Sequence, residues 1–193
     1  KVTSTLPIMI GQIQLIDIPD MNAAIKTLEE KKKILLDMAN EVDPVLVKFG
    51  GGAKDIELRP IQTEKGPMLI VHLLVDCRDA MGANAVNTMA ETLAPLIGEL
   101  TGGTPLLKII SNLADKRICR AEAIIKKEDL GGEDKVDKIL LAWAFADADP
   151  YRAATHNKGI MNGVIAVALA FAQDHRALEA GAHSYAAKTG RYR

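Results

Sequence analysis

With 193 residues, 48% of them apolar, the chain has the length for one domain or two small ones and the composition to pack a core, which excludes a disordered segment. Lys and Arg number 24 against 25 Asp and Glu, so the net charge of −1 supplies none of the positive field that a phosphate backbone demands, and nucleic acid is not expected as a partner. The longest apolar stretch, Val164–Ala172, is about half of the roughly 20 residues that a membrane-spanning helix needs, so a soluble protein is expected, with no membrane contact.

Residues 8–18 alternate in polarity, with Ile13 and Leu15 on one face and Gln12 and Gln14 on the other, which predicts a half-buried strand. Pro19-Asp20 then opens a helix whose apolar positions Ile25, Leu28, Ile34, Leu35 and Met38 recur at helical spacing. A short helix or turn over 43–49 runs into three glycines, Gly50 to Gly52. Residues 56–61 and 67–75 read as a hairpin around Glu64-Lys65-Gly66, and 83–100 as a helix stopped by Gly102-Gly103. Arg117–Ile125 alternates again and predicts the last strand. The resulting order β-α-β-β-α-β predicts an α+β, ferredoxin-like arrangement over residues 1–130, with the helices on one face of an antiparallel sheet. From Lys135 onward every pattern is helical: 136–146, a loop around Asp149-Pro150, and Ala- and Gly-rich helices from about Gly159. Residues 131–193 are therefore expected to be part of a larger helical domain, with Trp143 and Phe145 in its core.

Two segments carry chemistry. Arg78–Asn87 follows a strand and opens a helix, so its free backbone N–H groups form a ready anion site, with Gly82 allowing close approach; the plain alternative is a helix start capped by Asp79. In Asp149–Gly163, Arg152, His156, Lys158 and two asparagines lie between an X-Pro turn and an apolar helix. Arg152 suits a carboxylate and Lys158 a developing oxyanion, against the alternative of a solvated polar loop. Asp174 reads most simply as the cap of the last helix, and His72 and His183 as satisfied structural groups. Cys77 and Cys119 lack any metal-ligand spacing, which fits a reducing cytoplasmic location and argues against zinc.

Four motifs, RDAMGANAVNTMAE (78–91), SNLAD (111–115), DPYRAATHNKGIMNG (149–163) and RALEAGAHSY (176–185), resemble the class II 3-hydroxy-3-methylglutaryl-CoA (HMG-CoA) reductases, and the match runs over essentially the whole chain. The resemblance implies an oxidoreductase interconverting HMG-CoA with mevalonate and free CoA, using two NAD(H) per turnover. It also implies a small domain for the dinucleotide inserted in a larger one for HMG-CoA, and a homodimer with the active site at its interface. Cofactor-site positions so implied are Asp43, Asp79, Met81, Gly82, Asn84, Asn87 and Asn112. An acid at 43 would accept from ribose hydroxyls and repel a 2′-phosphate, so NADH is expected over NADPH. Arg152 and Asn162 are implied for substrate binding, and Lys158 with Asp174 for catalysis.

The chain departs from the family pattern at Ile165, Phe171-Ala172 and His175. The family's catalytic Glu and His have no match between Lys1 and Arg193, so the chain is expected to be a central fragment. An unbroken helix rising about 1.5 Å per residue would hold Lys158 and Asp174 roughly 24 Å apart, so their pairing requires a bend near Gly159 or Gly163, or a second subunit. The competing class is a ferredoxin-like nucleotide-binding module without catalysis. RNA binding is disfavoured by an aromatic content of 4%.

Overall fold

The computed structural model describes residues 1–192. It divides into two compact units: Ser4–Cys119, and Lys1–Thr3 together with the chain from Arg120 onward. The first unit is thus inserted in the second. The first three residues group with the chain from Arg120 onward.

The inserted unit is an α+β layer built on an antiparallel four-stranded sheet. Its elements in chain order are β2 (Ile8–Ile16), α1 (Met21–Val42), α2 (Pro44–Lys48), β3 (Gly52–Thr63), β4 (Gly66–Asp76), α3 (Ala83–Thr101) and β5 (Thr104–Ile110), and the strands lie in the order β3-β4-β2-β5. Register places Ile13 opposite Val71, Leu15 opposite Leu69 and Ile56 opposite Leu73, so these side chains share one face. On them pack Leu28 and Leu35 of α1 and Val86, Met89, Leu93 and Ile97 of α3, all fully buried. Each such side chain stabilises the fold by about 1.5–3 kcal/mol. Ile34, expected on the buried face of α1, is 54% exposed, and Ala24 and Ala39 are buried instead, because small residues let α1 approach the sheet.

Local chemistry sets the boundaries. Asp20 caps α1 by accepting from Ala23 N at 3.0 Å. Asn40 of α1 ties down the start of β3, accepting from Ala53 N at 2.8 Å and donating to Ala53 O at 3.2 Å. A Cβ at Gly11 would lie 2.7 Å from Val86 Cγ1, so glycine at this point of β2 lets the first turns of α3 lie directly on the sheet.

The last strand is not where alternation places it. The fourth strand of the sheet is β5, which Leu106-Leu107-Lys108-Ile109-Ile110 disguises by lacking a two-residue period, and Pro105 marks it as an edge. Within Arg117–Ile125 only β6 (Cys119–Ala121) is extended, and it pairs with β1 (Val2–Ser4) in a separate two-stranded ladder.

The second unit contains α4 (Glu133–Ala148), α5 (Pro150–Ala170) and α6 (His175–Ala186). Ala146, Ala153, Met161 and Ala168 are its buried apolar residues, whereas Trp143 and Phe145 are 59% and 57% exposed. Within this chain the two aromatics expected in the core of a larger helical domain therefore stay at the surface, while the alanines and Met161 lie where the helices meet. No helix among the described residues is long and apolar enough to cross a membrane.

Candidate functional site

In the inserted unit the register gathers several candidate residues at one end of the sheet. Ile8 pairs with Asp76, Gly52 also pairs with Asp76, and Gly11 pairs with Ile110. The start of β2, the end of β4, the start of β3 and the end of β5 therefore lie side by side. The loop 77–82, the first turn of α3, the glycine turn 50–52 and Ser111-Asn112 all leave from this edge.

The helix α3 begins without a side-chain cap. Its N-cap is Gly82, in the left-handed region at φ 94°, and not Asp79, so the plain reading of Asp79 as a cap is corrected. The reason is steric: a Cβ at residue 82 would sit 2.2 Å from Cys77 Sγ, so the tight turn exists only with glycine and places the helix start three residues later. Val86 N reaches Gly82 O at 3.0 Å, and the earlier N–H groups of the turn receive no side chain. Free amide donors at the positive end of a long helix suit the pyrophosphate of a dinucleotide. Burial pushes the Cys77 thiol up to about 11, so it packs under Gly82 as a neutral group.

The other proposed cofactor residues differ in how free they are. Asp79, Met81, Asn84 and Asn112 are exposed at this edge. Asn87 is half-buried, and its Oδ1 accepts from Ile110 N at 2.8 Å, which ties α3 to β5. Asp43 is half-buried as the N-cap of α2, its Oδ1 accepting from Leu46 N at 2.8 Å.

Arg78, Asp76 and Arg117 were assigned no role on sequence grounds, yet they hold the loop. Asp76 is 1% exposed; its Oδ1 accepts from Arg78 N at 3.0 Å and its Oδ2 from Arg78 Nη2 at 2.8 Å. The same Nη2 donates to Gly50 O at 2.6 Å. Arg117 donates to Ala80 O at 2.8 Å and to Arg78 O at 3.2 Å. The Asp-Cys-Arg run at the end of an apolar strand is the signal that could have marked this arrangement.

In the helical unit the Asp149–Gly163 segment is helix rather than loop. Asp149 caps α5, accepting from Arg152 N at 3.2 Å, and Pro150 supplies the fixed φ of the first turn, which is why the helix starts well before Gly159. Lys158 and Asn162 stand one turn apart on one exposed stripe, while Arg152 is half-buried around the helix from them. The helix is continuous through Gly159 and Gly163, and the chain turns instead at 171–173, where Ala172 takes φ 53°. Asp174 caps α6, as its plain reading expects, accepting from Arg176 N at 3.0 Å and Ala177 N at 3.3 Å. The hydrogen bond from the Arg176 side chain, with those backbone donors, holds its carboxyl below the usual range. Among the described residues Lys158 has no ion-pair or hydrogen-bond partner, so the bend expected near the glycines is absent and Lys158 and Asp174 are not joined within one chain.

A model of the hydroxymethylglutaryl-coenzyme A reductase family matches residues 1–192, and the chain belongs to that family. The 3-hydroxy-3-methylglutaryl-coenzyme A reductase of Archaeoglobus fulgidus is 57% identical over 183 residues, covering 95% of this chain and 42% of that protein. A probable reductase of the same name from Borreliella burgdorferi is 36% identical over 180 residues, covering 87% and 41%. Among solved structures, the Streptococcus pneumoniae 3-hydroxy-3-methylglutaryl-coenzyme A reductase superimposes with a TM-score of 0.95 at 42% identity, over 100% of this chain and 53% of that one. The class II enzyme of that organism bound to NADPH in open conformations gives 0.93 at 41% identity, over 100% and 47%. This chain thus spans about half the length, or less, of the relatives it matches.

Proposed function

We propose that the chain belongs to a cytoplasmic, NADH-preferring HMG-CoA reductase that interconverts HMG-CoA with mevalonate and CoA. In this reading the ferredoxin-like inserted unit holds the dinucleotide and the helical unit contributes to the HMG-CoA site. The observation that carries it is the first turn of α3: uncapped, left-handed at Gly82 and closed to any side chain there, it fits a pyrophosphate, in a chain that superimposes over its whole length on part of a reductase bound to NADPH. The exposed Asp79, Met81, Asn84 and Asn112 surround that turn, with Asn87 behind it. Asp43 is assigned to the adenosine ribose, where its charge disfavours a 2′-phosphate.

When bound, the nicotinamide supplies hydride, twice per thioester reduced. Lys158, which has no hydrogen-bond or ion-pair partner among the described residues, is assigned to polarise the thioester carbonyl and stabilise the oxyanion that forms on it. Arg152 is assigned to the substrate carboxylate, which its planar guanidinium can hold through two parallel hydrogen bonds. Asn162, one helical turn beyond Lys158, lies on the same stripe. Because Asp174 does not reach Lys158 within the chain, their hydrogen bond is assigned to a homodimer, across its interface.

Titration of NADH with the protein tests the reading. Saturable enhancement of NADH fluorescence, displaced by NAD and less effectively by NADPH, is expected. No change in fluorescence at millimolar dinucleotide would refute it.

A further inference from the structure

The inserted unit presents two separate elements to the proposed dinucleotide: α2, which carries Asp43 at its start and ends in the turn Gly50–Gly52, and the loop 77–82 leading into α3. The two are brought together where Gly52, at the start of β3, pairs with Asp76, at the end of β4, and Arg78 adds a side-chain tie just beyond that last ladder position. Its Nη2 donates both to Asp76 Oδ2 at 2.8 Å and to Gly50 O at 2.6 Å, and Asp76 also accepts from Arg78 N. Arg78 holds φ at 53°, a left-handed conformation uncommon for an L residue. Arg117, donating to Arg78 O and Ala80 O, encloses the same peptide from the other side.

The turn that Arg78 grips cannot adjust on its own. A Cβ at Gly51 would lie 2.6 Å from Leu46 Cδ1 and 2.7 Å from Asp76 O, so the end of α2 already rests against the strand that ends in Asp76. Lys54 Nζ also donates to Gly50 O, at 3.0 Å, and to Gly51 O, at 2.8 Å, but touches nothing in the loop 77–82. Lys54 therefore stiffens the turn, whereas Arg78, among the described side chains, ties Gly50 to the loop beyond the Gly52–Asp76 pair.

We infer that Arg78 is a positioning residue for cofactor choice: by fixing the glycine turn to the α3 loop, it sets the distance between the Asp43 carboxylate and the amides at the start of α3. This inference rests on the dinucleotide reading above. Without the clamp, α2 shifts relative to the pyrophosphate turn and the acid no longer meets the ribose at a fixed place.

The test measures NADH and NADPH affinity by fluorescence titration in the wild-type protein, Arg78→Met, Arg78→Lys and Lys54→Met, with amide hydrogen exchange followed over residues 44–52. Arg78→Met is expected to weaken NADH about tenfold, the size of one charge-assisted hydrogen bond, while NADPH changes little, so that discrimination falls; exchange over 44–52 is expected to speed up. Arg78→Lys is expected to retain part of the discrimination, and Lys54→Met all of it. A general loss of stability would weaken both dinucleotides in parallel and leave their ratio unchanged, which would overturn the inference. An unchanged ratio in Arg78→Lys together with unchanged exchange would overturn it too, and decides the matter if Arg78→Met does not fold. A wild-type protein that binds neither dinucleotide would instead overturn the functional reading, and this inference with it.

Discussion

Replacing Gly82 by alanine probes the feature on which the proposed pyrophosphate site depends. The added Cβ would lie 2.2 Å from Cys77 Sγ and 2.8 Å from Cys77 Cβ, at a backbone φ of 94°. The left-handed conformation costs an L residue about 1–2 kcal/mol, and overpacking a filled site costs about 1–3 kcal/mol more. Gly82→Ala should thus destabilise the inserted unit by roughly 2–5 kcal/mol, against the 5–15 kcal/mol typical of a whole domain. Cys77 allows these two contributions to be separated. Its thiol is neutral and 1% exposed, so Cys77→Ala removes the closest contact without removing a charge. Urea denaturation of the two single variants and the double variant should show a coupling of at least about 1 kcal/mol, with the double variant recovering only part of the overpacking, since alanine at 77 keeps the Cβ 2.8 Å away, and none of the backbone part. NADH titration of the double variant should still be weaker than wild type, because the turn that exposes the α3 amides remains strained. If Gly82→Ala is within about 0.5 kcal/mol of wild type, or if Cys77→Ala gives no relief, then the glycine is not enforced by Cys77 and the steric account of the turn fails.

Two further outcomes follow from other residues. Because Asp43 caps α2 as well as facing the proposed ribose site, Asp43→Asn, which keeps a capping oxygen, should lose discrimination against NADPH with stability nearly unchanged, whereas Asp43→Ala should also cost about 1 kcal/mol by denaturation; retained discrimination in both would remove Asp43 from the site. His72, on the sheet face away from the helices, meets Gln12 Nε2 at 2.9 Å and Arg59 Nη1 at 3.2 Å through its Nε2, and burial followed by Arg59 lowers its pKa, with Glu57 and Asp115 opposing and Lys116 adding. The folded state therefore favours neutral His72: its contribution is complete above the unfolded value near 6.5 and is lost as pH falls toward the lower folded value, so stability should decline below about pH 6.5 and His72→Gln should flatten that decline.

Much of the inserted unit was legible because its signals are local. The Pro19-Asp20 start of α1, the Glu64-Lys65-Gly66 hairpin and the glycine stop of α3 at Gly102, φ 66°, each follow from a few neighbouring residues. The strand β5 was not legible, since an edge strand's side chains need not alternate and its pairing with β2 is decided across many residues. Arg117–Ile125 misled for the converse reason: alternation there serves a short ladder and an exposed connection. In the candidate site, the resemblance pointed to residues that ligands would touch and passed over Arg78 and Asp76, whose roles are to hold backbone and become visible only when Gly50 is seen beside them. The helical start of α5 was obscured by charge: Arg152, His156 and Lys158 read as a polar loop, yet Asp149 and Pro150 had already supplied its cap and first turn.

The ends of the inserted unit are tied to one another. Thr5 N donates to Ile118 O at 2.9 Å, and Thr5 Oγ1 donates to Lys116 O at 2.8 Å. Just outside that tie, Glu122 N donates to Lys1 O at 2.8 Å. Viewed from the host chain, the whole excursion from Ser4 to Cys119 is therefore equivalent to a short turn. The entropy of closing so long a loop, which grows only as about 1.5 RT times the logarithm of its length, is met once within the guest as it folds and leaves none to the host. A guest with its exit stitched to its entrance can be lengthened, re-sequenced or exchanged without altering the span its host must bridge, which is the property a transferable module requires.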